Sequence, residues 1–188
     1  MAAISFEQID IPDAYIINAF KAEDKRGYFI KNFEQHIFAE NGLEFDCSED
    51  FVSMSYKNII RGMHFQLHKP QAKLVSCVYG MIYDGLVDLR KDSRTFGKWQ
   101  GVYLSAEDAR SLYIPRGCAH GFLVMSDMAL VSYKCDGAYD KETDTGILYS
   151  DMDIGVKWPI EDMAQAVVGD RDKQQMTFAE FKDKYGGF

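Results

Sequence analysis

The stretch Ile114-Pro115-Arg116-Gly117-Cys118-Ala119-His120-Gly121-Phe122 decides the fold of this chain. Pro115 and Gly117 suit a tight turn, because proline fixes φ and glycine tolerates the left-handed region. The apolar run that follows is typical of a buried β-strand. His120 is therefore predicted to enter the interior of a β-structure from that strand. The order Pro-x-Gly-x-x-His just before a strand is a specific signal of a jelly roll.

Strand-like runs surround this stretch. They are rich in β-branched and aromatic residues and are separated by turn residues, at 74–79, 81–89, 100–104, 111–114, 121–125 and 129–134. Helical periodicity occurs only at 32–40, which stops at Asn41-Gly42, and near 177–184, where Thr177 suits the N-cap. Short strands at this spacing predict an all-β fold, a jelly-roll sandwich with a few short peripheral helices. Without repeats or linkers, residues 1–188 are predicted to form a single domain.

Composition excludes several classes of function. Of the 188 residues 47% are apolar and 27% charged, which indicates a globular protein. The formal net charge of −8 argues against binding to nucleic acid or to an anionic membrane. No signal peptide or membrane-spanning run is apparent. The four cysteines are widely spread without a CxxC pair, which favours free thiols, a cytoplasmic location and no zinc site.

A second cluster of candidate residues reads Arg61-Gly62-Met63-His64-Phe65-Gln66, followed by His68 and Lys73. Lys73 lies in an apolar run. It is either an edge residue whose aliphatic chain extends along the surface so that the ammonium reaches water, or a functional cation. His64 and His68 are four residues apart, a spacing that shares a face on a helix but not on a strand. A first-row metal usually needs at least three protein ligands held in fixed geometry, so no metal site is predicted here, and the histidines are free for acid–base chemistry.

The turn before His120 is similar to the second motif of the cupins, and the order of motifs along nearly the whole chain resembles the dTDP-4-dehydrorhamnose 3,5-epimerase family. The matching stretches are 24–29, 60–66, 71–75, 87–99, 104–107, 114–122, 133–134 and 154–159. The resemblance implies a metal-free cupin enzyme that inverts C3 and C5 of a nucleotide-linked 4-keto-6-deoxy sugar. Such chemistry needs a base, an acid on the opposite face and a group that stabilises an enolate, with no cofactor.

The resemblance also implies roles for individual residues. His64 matches the base, Asp172 the carboxylate that orients it, Tyr133 the acid and Lys73 the group at the enolate oxygen. Positions that contact the substrate in the family match Arg26, Arg61 and His120, and also Asp144 and Arg171, which replace a glutamate and a lysine. The family resemblance further implies a homodimer in which an N-terminal segment of the partner, with Arg26, completes the site.

Three departures from the family pattern concern the nucleotide end of the substrate. Lys31 stands where a glutamate is common, Glu49-Asp50-Phe51 replaces a Gln-Asp-Asn stretch, and Ala138 replaces an aromatic residue. An ionised Glu49 only accepts hydrogen bonds and Lys31 only donates them. Either the two exchange roles around thymine, or Glu49 accepts from an exocyclic amine of cytosine or guanine. Loss of the aromatic at 138 removes a stacking platform.

Four other functions remain open at this point: an epimerase acting at C3 only, a 3,4-ketoisomerase, a metal-dependent cupin oxygenase and a non-catalytic sugar-binding cupin. The Arg61 to His64 motif together with Asp172 fits the epimerases better than the ketoisomerases. The missing metal-ligand pattern argues against an oxygenase.

Overall fold

Two antiparallel sheets packed face to face form the body of the protein in a computed structural model, which describes residues 4–188. The first sheet has the order β1-β2-β10-β7-β12-β5. Its strands are β1 (Ser5–Gln8), β2 (Tyr15–Asn18), β5 (Cys47–Tyr56), β7 (Ala72–Tyr79), β10 (Arg110–Ile114) and β12 (Met128–Asp136). This order is typical of a jelly roll, because strands distant in sequence become neighbours.

The second sheet has the order β13-β6-β11-β8-β9, with β14 added in parallel to β6. Its strands are β6 (Ile59–Gln66), β8 (Met81–Asp88), β9 (Trp99–Ser105), β11 (Cys118–Val124), β13 (Asp144–Gly146) and β14 (Val167–Val168). A separate hairpin joins β3 (Phe20–Asp24) to β4 (Gly27–Lys31). The all-β sandwich predicted from the sequence is confirmed.

The core between the two sheets is built from alternate residues of the central strands. Val75, Leu86, Leu112, Phe122 and Val131 are almost completely buried there. Each strand turns every second side chain inward, so this period of two decides which polar residues face the interior. Apolar clusters also cover the outer faces. The C-terminal segment packs on the second sheet, and residues around the first helix pack on one end of the first sheet.

The strand register aligns the polar residues that face the interior. On the first sheet, Tyr133 of β12 lies opposite Phe51 of β5 and Val75 of β7. Cys135, two residues further along β12, lies opposite Glu49 of β5 and Lys73 of β7. On the second sheet, His64 of β6 is paired directly with His120 of β11. Both sheets therefore present polar side chains at the same end of the sandwich.

Two glycines allow β6 and β11 to approach closely beside these histidines. Gly62 has a φ of 137°, and a Cβ there would lie 2.4 Å from the Cα of Gly121. The pairing between the two strands shifts register between His120 and Phe122. The glycines of the Arg-Gly-Met-His and Ala-His-Gly stretches are thus explained by backbone contact.

Within residues 4–188, three short α-helices lie at the periphery: α1 (Gln35–Glu40), α2 (Asp170–Lys173) and α3 (Phe178–Tyr185). A 3₁₀ helix spans Met163–Gln165. Thr177 caps α3 in a capping box with Glu180, as predicted. The helix predicted from residue 32 starts three residues later, because the Asn32 amide instead donates to Ser76 Oγ at 2.8 Å. Helix α2 was not predicted, since four residues carry too little periodicity. None of the helices among residues 4–188 is long and apolar enough to cross a membrane.

All six strand runs predicted from the sequence are confirmed, with shifts at their ends. The largest shift is at β11, which begins at Cys118 rather than Gly121, so that His120 lies within the strand. The first six strands were not predicted from the sequence. Several of them carry exposed residues on both faces, such as the adjacent Glu23 and Asp24 in β3, and so lack a clear alternation of apolar and polar residues.

Candidate active site

A cavity of about 260 Å³ opens between the two sheets, at the end of the sandwich where both sheets present polar side chains. It is lined by Glu49, Phe51, Ser53, Arg61, His64, Phe65, Gln66, Gln71, Lys73, His120, Phe122, Tyr133, Cys135, Tyr139, Asp144 and Arg171. Nine of the twelve site residues predicted from the sequence line it, and a tenth, Asp172, is bonded to the lining residue His64. A concave site with a few polar groups on apolar walls is typical of small-molecule binding.

His64 is held by a buried carboxylate. Its Nε2 lies 2.7 Å from Oδ1 of Asp172, whose Oδ2 accepts a hydrogen bond from the backbone N–H of Gly62 at 3.1 Å. Burial alone would raise the pKa of Asp172, but these hydrogen bonds and the charge of His64 outweigh it, so the pKa lies below its ordinary value. An ionised Asp172 fixes the imidazole orientation and stabilises its protonated form.

Lys73 projects from β7 into the same cavity. Its ammonium forms no salt bridge with any carboxylate among residues 4–188, while burial lowers its pKa below the ordinary value. The charges of Cys135, Asp144 and Asp84 act in the opposite direction. A lysine kept in a desolvated site without a partner is suited to a negative charge that develops on a ligand.

Tyr133 is almost completely buried, with 7% of its surface exposed. Burial raises the pKa of its phenol well above the ordinary value, and the nearby carboxylate of Asp84 adds to this effect. The phenol therefore stays protonated over the pH range in which the protein is folded and can donate a proton. Its ring is stacked on Phe51, with centroids 4.7 Å apart and planes 15° apart.

His120 forms a second histidine–aspartate pair within the cavity wall. Its Nε2 lies 2.7 Å from Oδ1 of Asp84, which is fully buried on β8. The other oxygen, Oδ2, has no hydrogen-bond partner among residues 4–188. His120 also meets the Tyr133 ring edge to face, with centroids 5.8 Å apart. The two histidines therefore enter the cavity side by side, each anchored by its own aspartate.

Charged groups of both signs surround the mouth of the cavity. Arg171 contacts Asp144 at 2.7 Å, and the Tyr139 hydroxyl donates to the same carboxylate at 2.9 Å. That hydrogen bond raises the pKa of Tyr139. Arg61 is exposed and donates from Nε to Ser55 Oγ at 2.9 Å, which leaves its other nitrogens free for a ligand. Two guanidinium groups thus flank the entrance, where they suit a phosphate.

Glu49 lies deeper at one side of this entrance. Its carboxylate accepts from Gln71 Nε2 at 3.2 Å and from the backbone N–H of Tyr139 at 3.0 Å. Two donors therefore hold Glu49 in one orientation. Phe51, on the same strand, adds an aromatic surface that is 47% exposed.

Arg26 and Lys31 lie outside this cavity. Arg26 is at the turn of the β3–β4 hairpin, where its side chain is 84% exposed and forms a salt bridge with Asp24. Lys31 pairs with Glu34 at 2.7 Å. Neither residue lines this cavity.

Sequence reasoning missed Asp84, Gln71 and Ser53 as site residues. Asp84 is an acidic residue inside the apolar run of β8, and an isolated charge in a buried strand is a signal that could have been used. Gln71 and Ser53 carry no such signal. Their contribution depends on strand register, which only the folded structure defines.

The sheets therefore form a cupin-type barrel whose pocket carries an anchored histidine, a buried phenol and an unpaired ammonium. Among residues 4–188, no group of three or more His, Cys, Asp or Glu side chains is arranged to hold a metal ion. The histidines are instead tied to aspartates, an arrangement suited to proton transfer.

Comparisons with known proteins agree with this geometry. The family model described as dTDP-4-dehydrorhamnose 3,5-epimerase matches residues 8–180. The enzyme of that name from Methanothermobacter thermautotrophicus is 46% identical over 180 residues, covering 96% of this chain and 97% of the relative. The one from Shigella flexneri is 43% identical, with coverage of 91% and 94%. The chain belongs to the dTDP-4-dehydrorhamnose 3,5-epimerase family and is a sugar-nucleotide epimerase.

Solved structures with the same fold include three informative relatives. The 3,5-epimerase from Elizabethkingia anophelis superposes with a TM-score of 0.90 at 40% identity, covering 94% of this chain and 97% of that one. The Legionella pneumophila epimerase, in complex with dTDP-4-keto-L-rhamnose, gives 0.89 at 35% identity, covering 93% of both chains. A 3'-monoepimerase from Streptomyces bikiniensis, in complex with dTDP-quinovose, gives 0.87 at 28% identity, covering 94% and 89%.

Proposed function

We propose that this enzyme inverts C3 and C5 of a nucleotide-linked 4-keto-6-deoxy sugar, converting dTDP-4-dehydro-6-deoxy-D-glucose to dTDP-4-dehydro-L-rhamnose. The observation that carries the proposal is that His64 and Tyr133 line one cavity from opposite sheets. A base and an acid on opposite walls can remove a proton from one face of a sugar ring and return another to the opposite face.

Each inversion proceeds in two steps. His64 takes the proton from the carbon next to the ketone, and the electron pair moves to the O4 oxygen to give an enolate. Lys73 stabilises that oxygen, because its ammonium lies in the same desolvated cavity without a carboxylate partner. The enolate then collapses and takes the hydroxyl proton of Tyr133 on the other face. Solvent later reprotonates Tyr133 and accepts the proton from His64, so the overall reaction is a redox-neutral isomerisation.

Asp172 and His120 support these steps. Asp172 holds the His64 ring and stabilises the imidazolium that forms when the proton is taken. His120 lies beside His64, and its Nε2 forms a hydrogen bond with Asp84. The other atoms of its ring are therefore the ones that contact the sugar. The hydrogen bond of each histidine to an aspartate supports these proposed roles.

The substrate extends from the cavity to its mouth. A cavity of about 260 Å³ accommodates a sugar ring, whereas pockets that bury a whole drug-sized ligand measure roughly 300–1,000 Å³. The sugar therefore occupies the interior and the diphosphate lies at the mouth beside Arg61 and Arg171. Asp144 holds Arg171 in place there. The base then lies beside Glu49 and Phe51.

We propose thymine as the base, following the ligand of the Legionella relative. Glu49 is aligned by Gln71 and Tyr139 and accepts from the N3–H of the base, while Lys31 of a second subunit donates to a carbonyl. The alternative is a CDP- or GDP-linked sugar, in which Glu49 accepts from the exocyclic amine. Both arrangements satisfy the acceptor-only carboxylate.

The functional unit proposed is a homodimer in the cytoplasm. In the second half of the edge strand β5, three outward-facing side chains are apolar and exposed: Val52 by 58%, Met54 by 44% and Tyr56 by 60%. Such a strip on a sheet edge is typical of an interface between protein chains. Arg26 and Lys31, which lie outside their own pocket, would then reach the partner's pocket.

A second candidate function is inversion at C3 alone. The similarity to the Streptomyces bikiniensis 3'-monoepimerase, which shares the fold, favours this alternative. It differs from the main proposal only in how the Tyr133 hydroxyl lies relative to C5.

Proton NMR of dTDP-4-keto-6-deoxyglucose in deuterium oxide tests these proposals. Deuterium entering C3 and C5 with formation of the L-rhamno product, and its loss in His64→Ala, is the expected result. Deuterium at C3 only identifies a C3 epimerase. No deuterium at either carbon, with CDP- and GDP-linked sugars equally inert, contradicts the proposal.

A further inference from the structure

We infer that Phe51 is a positioning residue for proton donation by Tyr133: its ring stacks on the phenol ring and keeps the hydroxyl directed at the carbon to be inverted. The inference rests on the function proposed above and assigns Phe51 a role beyond contact with the nucleobase. The strand register places Phe51 of β5 directly opposite Tyr133 of β12.

The two rings form the only nearly parallel aromatic pair that involves a residue lining the cavity, among residues 4–188. Their centroids are 4.7 Å apart and their planes 15° apart. On its other sides Tyr133 meets the edge of His120 at 5.8 Å and lies opposite the fully buried Val75 on β7. Phe51 thus closes the side of Tyr133 that faces the sheet edge.

The contact with Phe51 shields Tyr133 because Phe51 lies on the edge strand of the sheet. β5 is the last strand of its sheet, so within residues 4–188 no further strand lies beyond it to cover Tyr133. Phe51 is 47% exposed whereas Tyr133 is 7% exposed. The phenylalanine ring therefore separates the phenol from solvent. A residue without a flat ring at 51 would admit water and allow the tyrosine to change rotamer.

Misdirection of Tyr133 has a distinctive kinetic consequence. His64 can still remove the proton and, after exchange with solvent, return a deuteron to the same face. Deuterium exchange without inversion then continues while inversion slows. A displacement of about 1 Å can cost on the order of 100-fold in rate. The ratio of exchange to inversion therefore reports on Tyr133, and a purely structural defect would lower both rates together.

The experiment compares Phe51→Leu and Phe51→Ile with the wild type and with Phe51→Tyr, which keeps the ring. Isoleucine retains strand propensity if leucine weakens the edge strand. Tyr103→Leu is the matched control, because Tyr103 is also 47% exposed on an edge strand and contacts another aromatic ring, Tyr83, at 5.0 Å. NMR in deuterium oxide gives exchange and inversion separately at C3 and C5.

We expect the ratio of exchange to inversion to rise about 10-fold or more in Phe51→Leu and Phe51→Ile, as in Tyr133→Phe, and to stay at the wild-type value in Phe51→Tyr and Tyr103→Leu. An unchanged ratio with a raised KM would overturn the inference and leave Phe51 as a nucleobase contact only. Failure of the proposed function is distinguishable, because the wild type would then show neither exchange nor inversion.

Discussion

His64 Nε2 lies 2.7 Å from Asp172 Oδ1, although the two residues are 108 positions apart in the chain. His64 belongs to strand β6 and Asp172 to helix α2, which follows immediately after β14 has paired with β6. The parallel pairing of β14 with β6 therefore places the carboxylate of Asp172 next to His64. The same carboxylate binds the N–H of Gly62, so one side chain fixes both the imidazole and the tight backbone beneath it.

Replacing Asp172 with asparagine tests this pair. The amide keeps the size of the side chain but cannot balance an imidazolium charge, so kcat is expected to fall by about 100-fold or more with little change in KM. Steady-state kinetics and deuterium exchange measure the effect. Asp170→Asn is the control, because Asp170 lies in the same helix with a side chain that is 92% exposed. A kcat within threefold of the wild type in Asp172→Asn would contradict the assigned role.

The same pair gives a dependence of stability on pH. The pKa of Asp172 is lowered in the folded state, so its contribution to stability is present above the ordinary aspartate value and is lost as the pH falls through the lowered pKa. The difference in Tm between the wild type and Asp172→Asn should therefore narrow only as the pH falls below about 4. Thermal unfolding followed by circular dichroism checks this, and a constant difference would argue against an ionised Asp172.

Lys73→Met is expected to lower activity while it raises thermal stability. Burial lowers the pKa of Lys73, which means that at neutral pH its charged form costs folding free energy. Methionine removes that cost, so Tm is expected to rise by about 2–4 °C for each kcal/mol relieved. Loss of the enolate-stabilising cation should lower kcat by roughly 100-fold to 1,000-fold. Lys69→Met, a change at an exposed lysine outside the cavity, is the control.

The lowered pKa of Lys73 also predicts an alkaline limit to activity. The protonated lysine is the active form, so kcat should decline as the pH rises through its pKa, earlier than for an ordinary lysine. A pH profile of kcat measures the limit. In Lys73→Arg, whose side chain stays protonated, the decline should move to higher pH or disappear.

Gly62→Ala should destabilise the fold severely. The added Cβ would lie 2.4 Å from Gly121 Cα and 3.0 Å from the carbonyl oxygen of His120, at a φ of 137° that alanine rarely adopts. A loss of about 3 kcal/mol or more in the free energy of unfolding is expected. Gly169→Ala, where an added Cβ meets nothing within 4 Å, should change stability far less. Urea denaturation distinguishes the two variants.

Glu49→Gln tests recognition of the base. A carboxamide both donates and accepts, so with a dTDP-linked sugar it should keep kcat and change KM by less than about tenfold. If the natural base is cytosine or guanine, the same change should raise KM for the CDP- or GDP-linked sugar instead. Parallel kinetics with the three nucleotides decide between these outcomes, and faster wild-type turnover of a CDP- or GDP-linked sugar would refute the choice of thymine.

Val52→Asp tests the proposed dimer. A charge placed in the exposed apolar strip of β5 should weaken self-association, because an unpaired carboxylate is costly to bury. Sedimentation velocity is expected to give a dimer for the wild type and a shift toward monomer for the variant, with lower activity if Arg26 of the partner completes the site. Tyr103→Asp, on the edge of the other sheet, should remain dimeric. A wild-type monomer at micromolar concentration would contradict the proposal.

Part of the strand content could be predicted from local sequence. The six predicted runs correspond to β7 to β12, because stretches rich in β-branched and aromatic residues between turn residues are typical of strands. The roles of the site residues were implied by the resemblance to the family and not by spacing. The Pro-x-Gly turn before His120 and the capping box at Thr177 are likewise short-range signals. The start of α1 was predicted wrongly because Asn32 forms a hydrogen bond with Ser76, 44 residues away, which no local pattern contains.

By itself, then, the sequence determined that this is a β-sandwich of the cupin type and which side chains are candidates for acid–base chemistry. Tertiary structure alone decided how they meet: that Asp84 anchors His120, that Phe51 stacks on Tyr133, and that Arg26 lies outside its own pocket. The physical reason is that side-chain direction follows from local backbone period, whereas contact depends on strand register and crossover connections between residues far apart in the chain.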